Sequence, residues 1–279
     1  MFFGKERLIP FQLKLQCLFG QRLSFSGWLV LAFGSVFAWA FAGAVDLHDM
    51  TGFNVPTAKV VGEVTGTKKT GYSENKRAVV GYNYKFEYID NHYEDTSYSK
   101  YLEPQVGSKV EVEFTNPNYS RIVGMRRGIM PPGMLLILIL PGIGIVLIWF
   151  GVLSGLKDIK LLTLGVQATA KVISIKDTGM KVNRRTVRIY ELEYPTREGR
   201  SARGQIRSSL LNLSEDSEEQ ILYDPTNTSW VKLLDLLPAK VTIDSKGEIG
   251  FSPRLPLYLI APFLTVAGNL IYLVFRFSK

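Results

Sequence analysis

The stretch that decides the fold of this chain is residues 134–155, MLLILILPGIGIVLIWFGVLSG. It carries no charge over 22 residues and consists mainly of Leu, Ile, Val, Phe and Trp. As a helix with a rise of about 1.5 Å per residue it is about 33 Å long, and the apolar core of a bilayer is about 30 Å thick. The sequence therefore predicts a membrane-spanning helix within residues 130–155.

Two more apolar segments lie near the ends of the chain, at residues 26–45 and 255–275. Ala42-Gly43-Ala44 has the small side chains of a signal-peptide cleavage site, but the apolar run before it exceeds the roughly 7 to 15 residues of a signal core. We therefore favour an uncleaved anchor over a signal peptide. The predicted fold class is membrane α plus all-β, with three transmembrane helices and two small antiparallel β-barrel or sandwich-like domains.

The middle span contains residues that disturb a helix. Pro131-Pro132 precedes it, and Pro141-Gly142 falls near its centre. A kinked single span is favoured over a re-entrant hairpin, because each arm of a hairpin would be too short to cross. Gly151 and Gly155 have the GxxxG spacing that permits close helix packing, but this common spacing does not by itself predict a contact.

Residues 46–129 predict the first β domain. Residues 58–64 form a strand, residues 65–75 a loop rich in Gly, Thr and Lys, and residues 79–88 alternate apolar and polar side chains. Period-2 alternation is typical of a half-buried strand. A turn follows at Asp90-Asn91, and residues 106–114 form another turn and an alternating strand.

Residues 156–254 predict a second β domain that repeats the order of the first. Residues 169–173 echo 57–61, residues 187–194 echo the earlier Tyr-rich strand, and residues 221–229 echo 112–120 at an offset of 109. Matches in one order indicate an internal duplication, although chance β patterning could also produce them. A short hairpin is expected between residues 241–243 and 249–251.

The strand order and the strand end Tyr223-Asp224-Pro225-x-Asn227 resemble a bacterial membrane family known as domain of unknown function 3592. The resemblance covers residues 57–122 and 168–233. The first copy departs from the pattern with Thr115-Asn116 in place of Asp-Pro, and the second has Asp216 and Glu219 in place of a Gly and a Val. The resemblance implies two β domains among membrane spans, and it brings no catalytic residue or cofactor.

The sequence contains no motif for catalysis or metal binding that we recognise. Its single cysteine, Cys17, allows no intrachain disulfide and predicts a buried small hydrophobe. His48 and His92 stand apart and are expected in solvated loops. The acidic run at residues 215–219 could hold a divalent cation, but it is more typical of a solvated loop. We expect neither an enzyme nor a cofactor.

One basic group does suggest a contact site. Lys181, Arg184, Arg185 and Arg188 mark a loop and the start of a strand. They could touch anionic lipid or an acidic partner, or they could simply keep an exposed hairpin tip soluble. These four residues are the candidate lipid or partner contact.

The net charge of +8 lies partly beside the apolar segments, which is typical of membrane topology. Residues 1–25 form a cationic amphipathic segment that either lies along a membrane surface or is a poorly ordered tail. A basic leader favours a cytoplasmic N-terminus, which places 46–129 outside, 156–254 inside and the tail 276–279 outside. Arg126-Arg127, just before the middle span, argues against this orientation.

The leading hypothesis is a non-enzymatic multi-pass protein of the bacterial cytoplasmic membrane, whose β domains are interaction or scaffold modules of a complex. Its alternatives are an accessory subunit of a membrane enzyme or transporter, and a module that senses anionic lipid or the envelope. The expected partners are membrane lipids and a protein that the sequence does not identify. Nucleic acid is not expected, because a basic face and an aromatic RNA motif are both missing. The oligomeric state stays open.

Overall fold

The structure is a computed structural model that describes residues 6–51, 57–244, 247–252 and 255–278. It divides into two compact units, one made of Met1–Ala32 with Ile143–Lys279 and the other of Phe33–Gly142. The α-helices are α1 (Phe11–Phe19), α2 (Arg22–Phe41), α3 (His48–Thr51), α4 (Ile139–Leu164) and α5 (Leu255–Phe277), with 3-10 turns at Ala42–Ala44, Pro132–Leu138 and Leu234–Leu236. The strands are β1 (Ala58–Glu74), β2 (Arg77–Tyr88), β3 (Asn91–Ser99), β4 (Lys109–Asn116), β5 (Tyr119–Ile122), β6 (Val166–Val182), β7 (Arg185–Pro195), β8 (Ser201–Ser208), β9 (Glu218–Asp224), β10 (Asn227–Leu233), β11 (Thr242–Ile243) and β12 (Ile249–Gly250).

Three helical segments are long and apolar enough to cross a membrane. They are Arg22–Ala44, Pro132–Leu164 and Tyr258–Arg276. Their outward side chains are large and apolar, as with Trp149 and Phe263, which are 64% and 71% exposed. Such exposure suits a lipid solvent and would be a liability in water. The helices and the two antiparallel sheets agree with the coarse fold class that the sequence predicts.

The middle helix is one continuous segment and does not fold back as a hairpin. A 3-10 turn from Pro132 passes directly into α4 at Ile139, and Pro141 lies in the first turn of α4. A proline is tolerated in the first turn of a helix, where its missing N–H group costs little. The helix also continues nine residues beyond the predicted end at residue 155, as far as Leu164.

Glycines bring α2 and α4 into close contact. A Cβ atom added to Gly144 would lie 2.6 Å from the backbone nitrogen of Leu31, and one added to Gly151 would lie 2.6 Å from the Cα atom of Ser24. A Cβ atom on Gly155 would likewise overlap the backbone of the α1 helix. Small residues let helix backbones approach closely in a membrane. The spacing of Gly151 and Gly155, which the sequence alone could not interpret, therefore marks a helix contact.

The N-terminal segment packs against the second sheet and the end of α4. Ile9, Leu13 and Cys17 are buried, and they share an apolar cluster with Leu162 of α4 and Leu222 of β9. The sequence predicted either a helix on the membrane surface or a disordered tail. Both predictions are wrong for residues 6–21, because this segment is packed against the protein. Residues 1–5 lie outside the described part of the chain. The expectation of a buried cysteine is confirmed.

The two five-stranded sheets have the same order of strands. The first runs β3-β2-β1-β4-β5, and the second runs β8-β7-β6-β9-β10. In the first sheet the edges approach each other, since the backbone N–H of Ile122 donates to Ser97 Oγ at 2.9 Å. In the second, Gly204 of β8 packs against Val231 of β10 with no space for a Cβ atom. Each sheet thus curls into a near-barrel.

Tyrosines fill the interior of both sheets, and their hydroxyl groups find partners. Tyr84 shares a 2.8 Å hydrogen bond with Ser120, and Tyr190 donates to the Leu211 carbonyl at 2.8 Å. The hydroxyl of Tyr223 accepts from the backbone N–H of Arg197. Buried tyrosines are stable only when the hydroxyl is bonded, so these contacts fix the loops that supply them.

Several strands were not evident in the sequence. The predicted loop at residues 65–75 is wrong, because β1 continues to Glu74 as part of a long hairpin with β2. Strands β3 and β8 were missed, since both are edge strands with polar compositions. The hairpin expected near residues 241–251 is confirmed by β11 and β12, although residues 245 and 246 of its turn lie outside the described residues.

Candidate functional site

The predicted basic group lies on the second hairpin, formed by β6 and β7. Lys181 pairs with Thr186 across the strands, Val182 pairs with Arg185, and Arg184 occupies the turn. We call residues 180–185 the second tip. Within the described part of the chain, Lys181, Arg184 and Arg185 are exposed and form no ion pair. The structure therefore brings three of the four predicted residues together.

The fourth residue, Arg188, is engaged elsewhere. Its Nε atom donates to Asp177 Oδ1 across the hairpin at 3.0 Å. This hydrogen bond, followed by the charge of Asp177, raises the pKa of Arg188 above its ordinary value. Arg188 is thus partly neutralised by its own hairpin, and the unpaired positive charge is concentrated at the second tip.

Two apolar side chains accompany these cations. Met180 and Val182 are 63% and 51% exposed. Alternate residues of a strand share one face, so Met180 and Val182 point to the same side as Arg185, which lies opposite Val182. The sequence analysis singled out only the cations. The alternation Met-Lys-Val before the turn was the signal that could have revealed the apolar face.

An open groove of about 300 Å³ runs beside the second hairpin. Its lining comprises Arg185, Thr186, Arg188, Ser209, Leu210, Leu211 and Asn212. Guanidinium groups recognise carboxylate and phosphate oxygens in a bidentate manner. The groove and the second tip together can therefore contact an anionic group that carries some apolar surface.

The first hairpin, formed by β1 and β2, has a different tip. We call residues 72–77 the first tip. Glu74 forms ion pairs with Lys100, at 2.8 Å, and with Arg126. Burial raises the pKa of Glu74, but the hydrogen bonds from Arg126 and Lys100 outweigh it and hold the pKa below its usual value. Arg77 lies 5.1 Å from the ring centre of Tyr101. The first tip is thus held against its own domain.

An ionic cluster around Arg127 lies where the first sheet meets the chain leading to the middle span. Arg127 Nε is 3.0 Å from Asp46 Oδ2, and its Nη1 is 2.6 Å from Asp95 Oδ2. The backbone N–H of Arg127 donates to Asp49 Oδ2 at 2.9 Å. Burial favours a lower pKa for Arg127, but its bond to Asp46 and the nearby charge of Asp95 raise it. This cluster is a fixed structural charge network.

A second polar junction joins α4 to the second sheet. Asp158 of α4 is 2% exposed and accepts from Lys232 Nζ and from Gln21. Lys160 Nζ lies 2.8 Å from Asp224 Oδ2 at the end of β9. Burial raises the pKa of Asp224, but the bonds from Lys160 and Thr226 outweigh it and lower the pKa to about 2.

The two histidines and the acidic run, whose side chains could act in catalysis or bind a metal ion, make contacts that are structural. His48 stacks on Tyr119 at 4.0 Å, and the exposed His92 lies on β3, 3.2 Å from Glu87. In the acidic run at residues 215–219, Asp216 occupies a turn and pairs with Lys171 at 2.8 Å. Among the described residues, no group of three or more His, Cys, Asp and Glu side chains could hold a metal ion.

These features define a class of protein, namely a membrane protein with three apolar helices and two five-stranded antiparallel sheets. No family model, curated protein or solved structure matches the chain. The resemblance to the family known as domain of unknown function 3592 therefore stays a prediction.

Proposed function

We propose that this chain is a non-enzymatic membrane protein with three spans, whose two β domains act as interaction modules of a membrane complex. The observation that carries this proposal is the pair of sheets with one strand order, each anchored beside apolar helices by partly buried ion pairs. Rigid attachment holds a binding surface at a fixed place next to the bilayer. By analogy of fold alone, five-stranded, partly open barrels use their strand faces and loops to bind extended partners.

We infer that the two domains arose by internal duplication. Two irregularities in the pairing of β1 recur in β6 at a constant offset of 108 residues. The bulge after Val64 corresponds to the bulge after Val172, and the one after Lys69 corresponds to the one after Asp177. Asn116 and Asp224 show the same offset of 108, which replaces the 109 expected for this stretch from the sequence, and each side chain accepts a hydrogen bond from the backbone two residues further on. The recurrence of such local features favours a duplication over chance strand patterning. A duplication supports the proposed kinship with domain of unknown function 3592.

The outer surfaces of the sheets are the proposed contact areas. One open groove of about 520 Å³ on the first sheet is lined by Lys85, and one of about 490 Å³ on the second is lined by Arg203. A photo-activatable amino acid at either position should form covalent adducts with another protein in intact cells. The same amino acid at Phe263, on the outward face of α5, should react with lipid. Only monomeric protein at both sheet positions would contradict the proposal.

We further propose a location in the bacterial cytoplasmic membrane, with the N-terminus and the second domain in the cytoplasm and the first domain outside. The basic leader supports this orientation. Reporters active in only one compartment, fused after Asn91 and after Ser214, should give opposite results. Matching results would place both domains in one compartment and overturn the arrangement.

The principal rival is a membrane enzyme or transporter subunit. Purified protein that turned over a substrate, and lost that turnover through one defined substitution, would establish the rival. Transport sites commonly place ionisable side chains within spans. In Tyr258–Arg276 the uncharged Asn269 donates to the Thr265 carbonyl of its own helix at 2.8 Å, which is a structural contact.

A further inference from the structure

We infer that the second tip, residues 180–185, docks on an anionic bilayer surface, whereas the first tip does not. This inference goes beyond the proposed role of the sheets as protein interaction modules. It rests on a comparison of two hairpins that have the same backbone and different side chains.

The backbones of the two hairpins agree in detail. Gly71 and Gly179 have φ angles of +75° and +73°, and the turns Asn75-Lys76 and Asn183-Arg184 have positive φ at both positions. In each hairpin a threonine hydroxyl donates to a carbonyl nine residues further along the chain, at 2.5 and 2.7 Å. Shape therefore does not distinguish the two tips.

The side chains at matching positions differ in three respects. Glu74, which pairs with Lys100 and Arg126, is replaced by the exposed Val182. Tyr72 is replaced by Met180, and Ser73 by Lys181. In the first tip the one acidic residue is paired with its own domain, while Lys76 and Arg77 are exposed cations with no acidic partner among the described residues. The second tip has an apolar side chain in place of that acid and adds a third such cation, Lys181, in the described part of the chain.

The position of each tip can be judged within its own unit. In the first, Glu74 contacts the Arg126 guanidinium, whose other N–H groups donate to the carbonyls of Gly128 and Ile129. Ile129 lies three residues before the apolar segment Pro132–Leu164. This tip therefore lies beside the start of a span.

The place of the second tip follows from its likeness to the first. Arg126, which contacts Glu74 of the first tip, lies 108 residues before Leu234, and Leu234 shares an apolar cluster with Leu162 of α4. Because the two sheets have the same strand order, we expect the second tip near Leu234 and the end of α4, within reach of lipid headgroups.

A bilayer is a better occupant than an acidic protein for two reasons. The large apolar side chains exposed at the second tip are Met180 and Val182. Together with Leu210 of the adjoining groove they offer far less than the roughly 800 Å² that each partner buries in a stable protein complex. Anionic headgroups, in contrast, attract each nearby Lys or Arg and accept small apolar insertions. The spans also hold the domain permanently beside such a surface.

The test uses the full chain in nanodiscs with a polarity-sensitive fluorophore at Met180→Cys. The native Cys17 is buried, and burial raises the pKa of its thiol to about 12, so labelling is confined to the new cysteine. In discs with 30% phosphatidylserine we expect a blue-shifted emission that is lost in pure phosphatidylcholine and in 1 M salt. Salt at 1 M shortens the screening length to about 3 Å.

Matched variants separate docking from general proximity to the disc. Replacing Arg184 and Arg185 by Gln should lower the docking constant about 30-fold, at about 5-fold per cation. The same label at Tyr72→Cys in the first tip should show no blue shift in anionic discs. Adding Lys76→Gln and Arg77→Gln should leave the emission of that label unchanged.

Three outcomes would overturn the inference. The first is an emission at position 180 that shows the label in water with both lipids. The second is an equal blue shift for the label at position 72. The third is a blue shift at position 180 that persists in 1 M salt. None of these outcomes bears on photo-crosslinking at Lys85 or Arg203, so the proposed function and this inference can fail separately.

Discussion

The Lys160 ammonium group lies 2.8 Å from the Asp224 carboxylate, and this pair ties the last turns of α4 to the end of β9. Asp224 also fixes the following turn, because the backbone N–H and the hydroxyl of Thr226 both donate to it. The Asp in the Tyr-Asp-Pro pattern thus has two structural roles. In the first sheet Asn116 has only the turn-fixing role, because it accepts a hydrogen bond from the backbone N–H of Asn118.

Replacing Asp224 by Asn should keep the turn and remove the ion pair. The folded pKa of Asp224 is about 2, below the ordinary 3.8, so the pair stabilises the fold above about pH 4 and is lost as the pH falls toward 2. Lys160 is half exposed, so we expect a loss of about 1 kcal/mol at pH 7. Thermal unfolding of the full chain in detergent should show this loss shrinking below pH 4.

The exposed pair of Asp177 and Arg188 provides the control for this experiment. Asp177→Asn should change the unfolding free energy by less than about 0.5 kcal/mol. If Asp224→Asn and Asp177→Asn lowered the unfolding free energy equally, the pair of Lys160 and Asp224 would stabilise the fold no more than an exposed pair does.

Enlarging a glycine between α2 and α4 should separate the helices. Gly151→Leu has no space, because even a Cβ atom would overlap Ser24. Overpacking typically costs about 1 to 3 kcal/mol, and more where backbone atoms block the side chain. Gly142→Leu is the matched control on the same helix, since a Cβ atom there meets no described atom within 4 Å. Melting temperatures in detergent should fall for the first variant alone.

The Arg127 cluster should respond strongly to the loss of its cation. Arg127→Gln leaves Asp46 and Asp95 without their shared guanidinium, while Asp49 keeps its backbone donors. Breaking a fully buried ion pair costs about 3 to 5 kcal/mol, so we expect a smaller loss for this partly exposed cluster. Arg127→Lys should lose less, because it keeps the charge. Limited proteolysis of the first sheet in membranes should report both effects. Cleavage no faster than in Lys109→Gln, at an exposed site, would contradict this account.

Glycine in the hairpin turns should stabilise the chain. Lys76 has a φ angle of +66°, a region that glycine adopts without the strain of a side chain, and Asn-Gly is the preferred pair for such two-residue turns. Lys76→Gly should therefore raise the unfolding free energy by about 0.5 to 1 kcal/mol. Lys76→Ala, which removes the same charge and keeps the strain, should give no gain in thermal unfolding.

The thiol of Cys17 should be inert in the folded protein. Burial, followed by the negative charge of Asp158, raises its pKa to about 12, so thiolate is scarce at neutral pH. A maleimide reagent should label the native chain far more slowly than the chain unfolded in detergent and heat. Equal rates would show that α1 does not stay packed in the apolar cluster that contains Leu13 and Leu162.

The apolar helices were predictable because burial in lipid demands a long uncharged run, which is visible without any tertiary contact. The end of α4 was not, since residues 156–164 mix charged side chains with Leu161 and Leu162. Those two leucines are buried against the protein and not in lipid. The same limit applies to α1, whose buried face packs on residues more than a hundred positions away.

In the candidate site, the residue types were predictable and their partners were not. Arg184 and Arg185 were evident as a basic group, but only the structure shows that Arg188 bonds to Asp177 while its neighbours stay unpaired. The long hairpins were hidden for a related reason. Residues 65–74 of β1 are nearly all polar or Gly, and none of them is fully buried, so the sequence lacks the apolar–polar alternation that indicates a half-buried strand.

A single residue, Gly165, separates the last turn of α4 from the first residue of β6. Its backbone N–H donates to the Leu161 carbonyl, so even this residue belongs to the end of the helix. A flexible linker would absorb a change in the angle of the helix, and here there is none. We therefore expect a thinner or thicker bilayer that tilts α4 to turn the second sheet with it, so that membrane thickness would set the orientation of a protein surface.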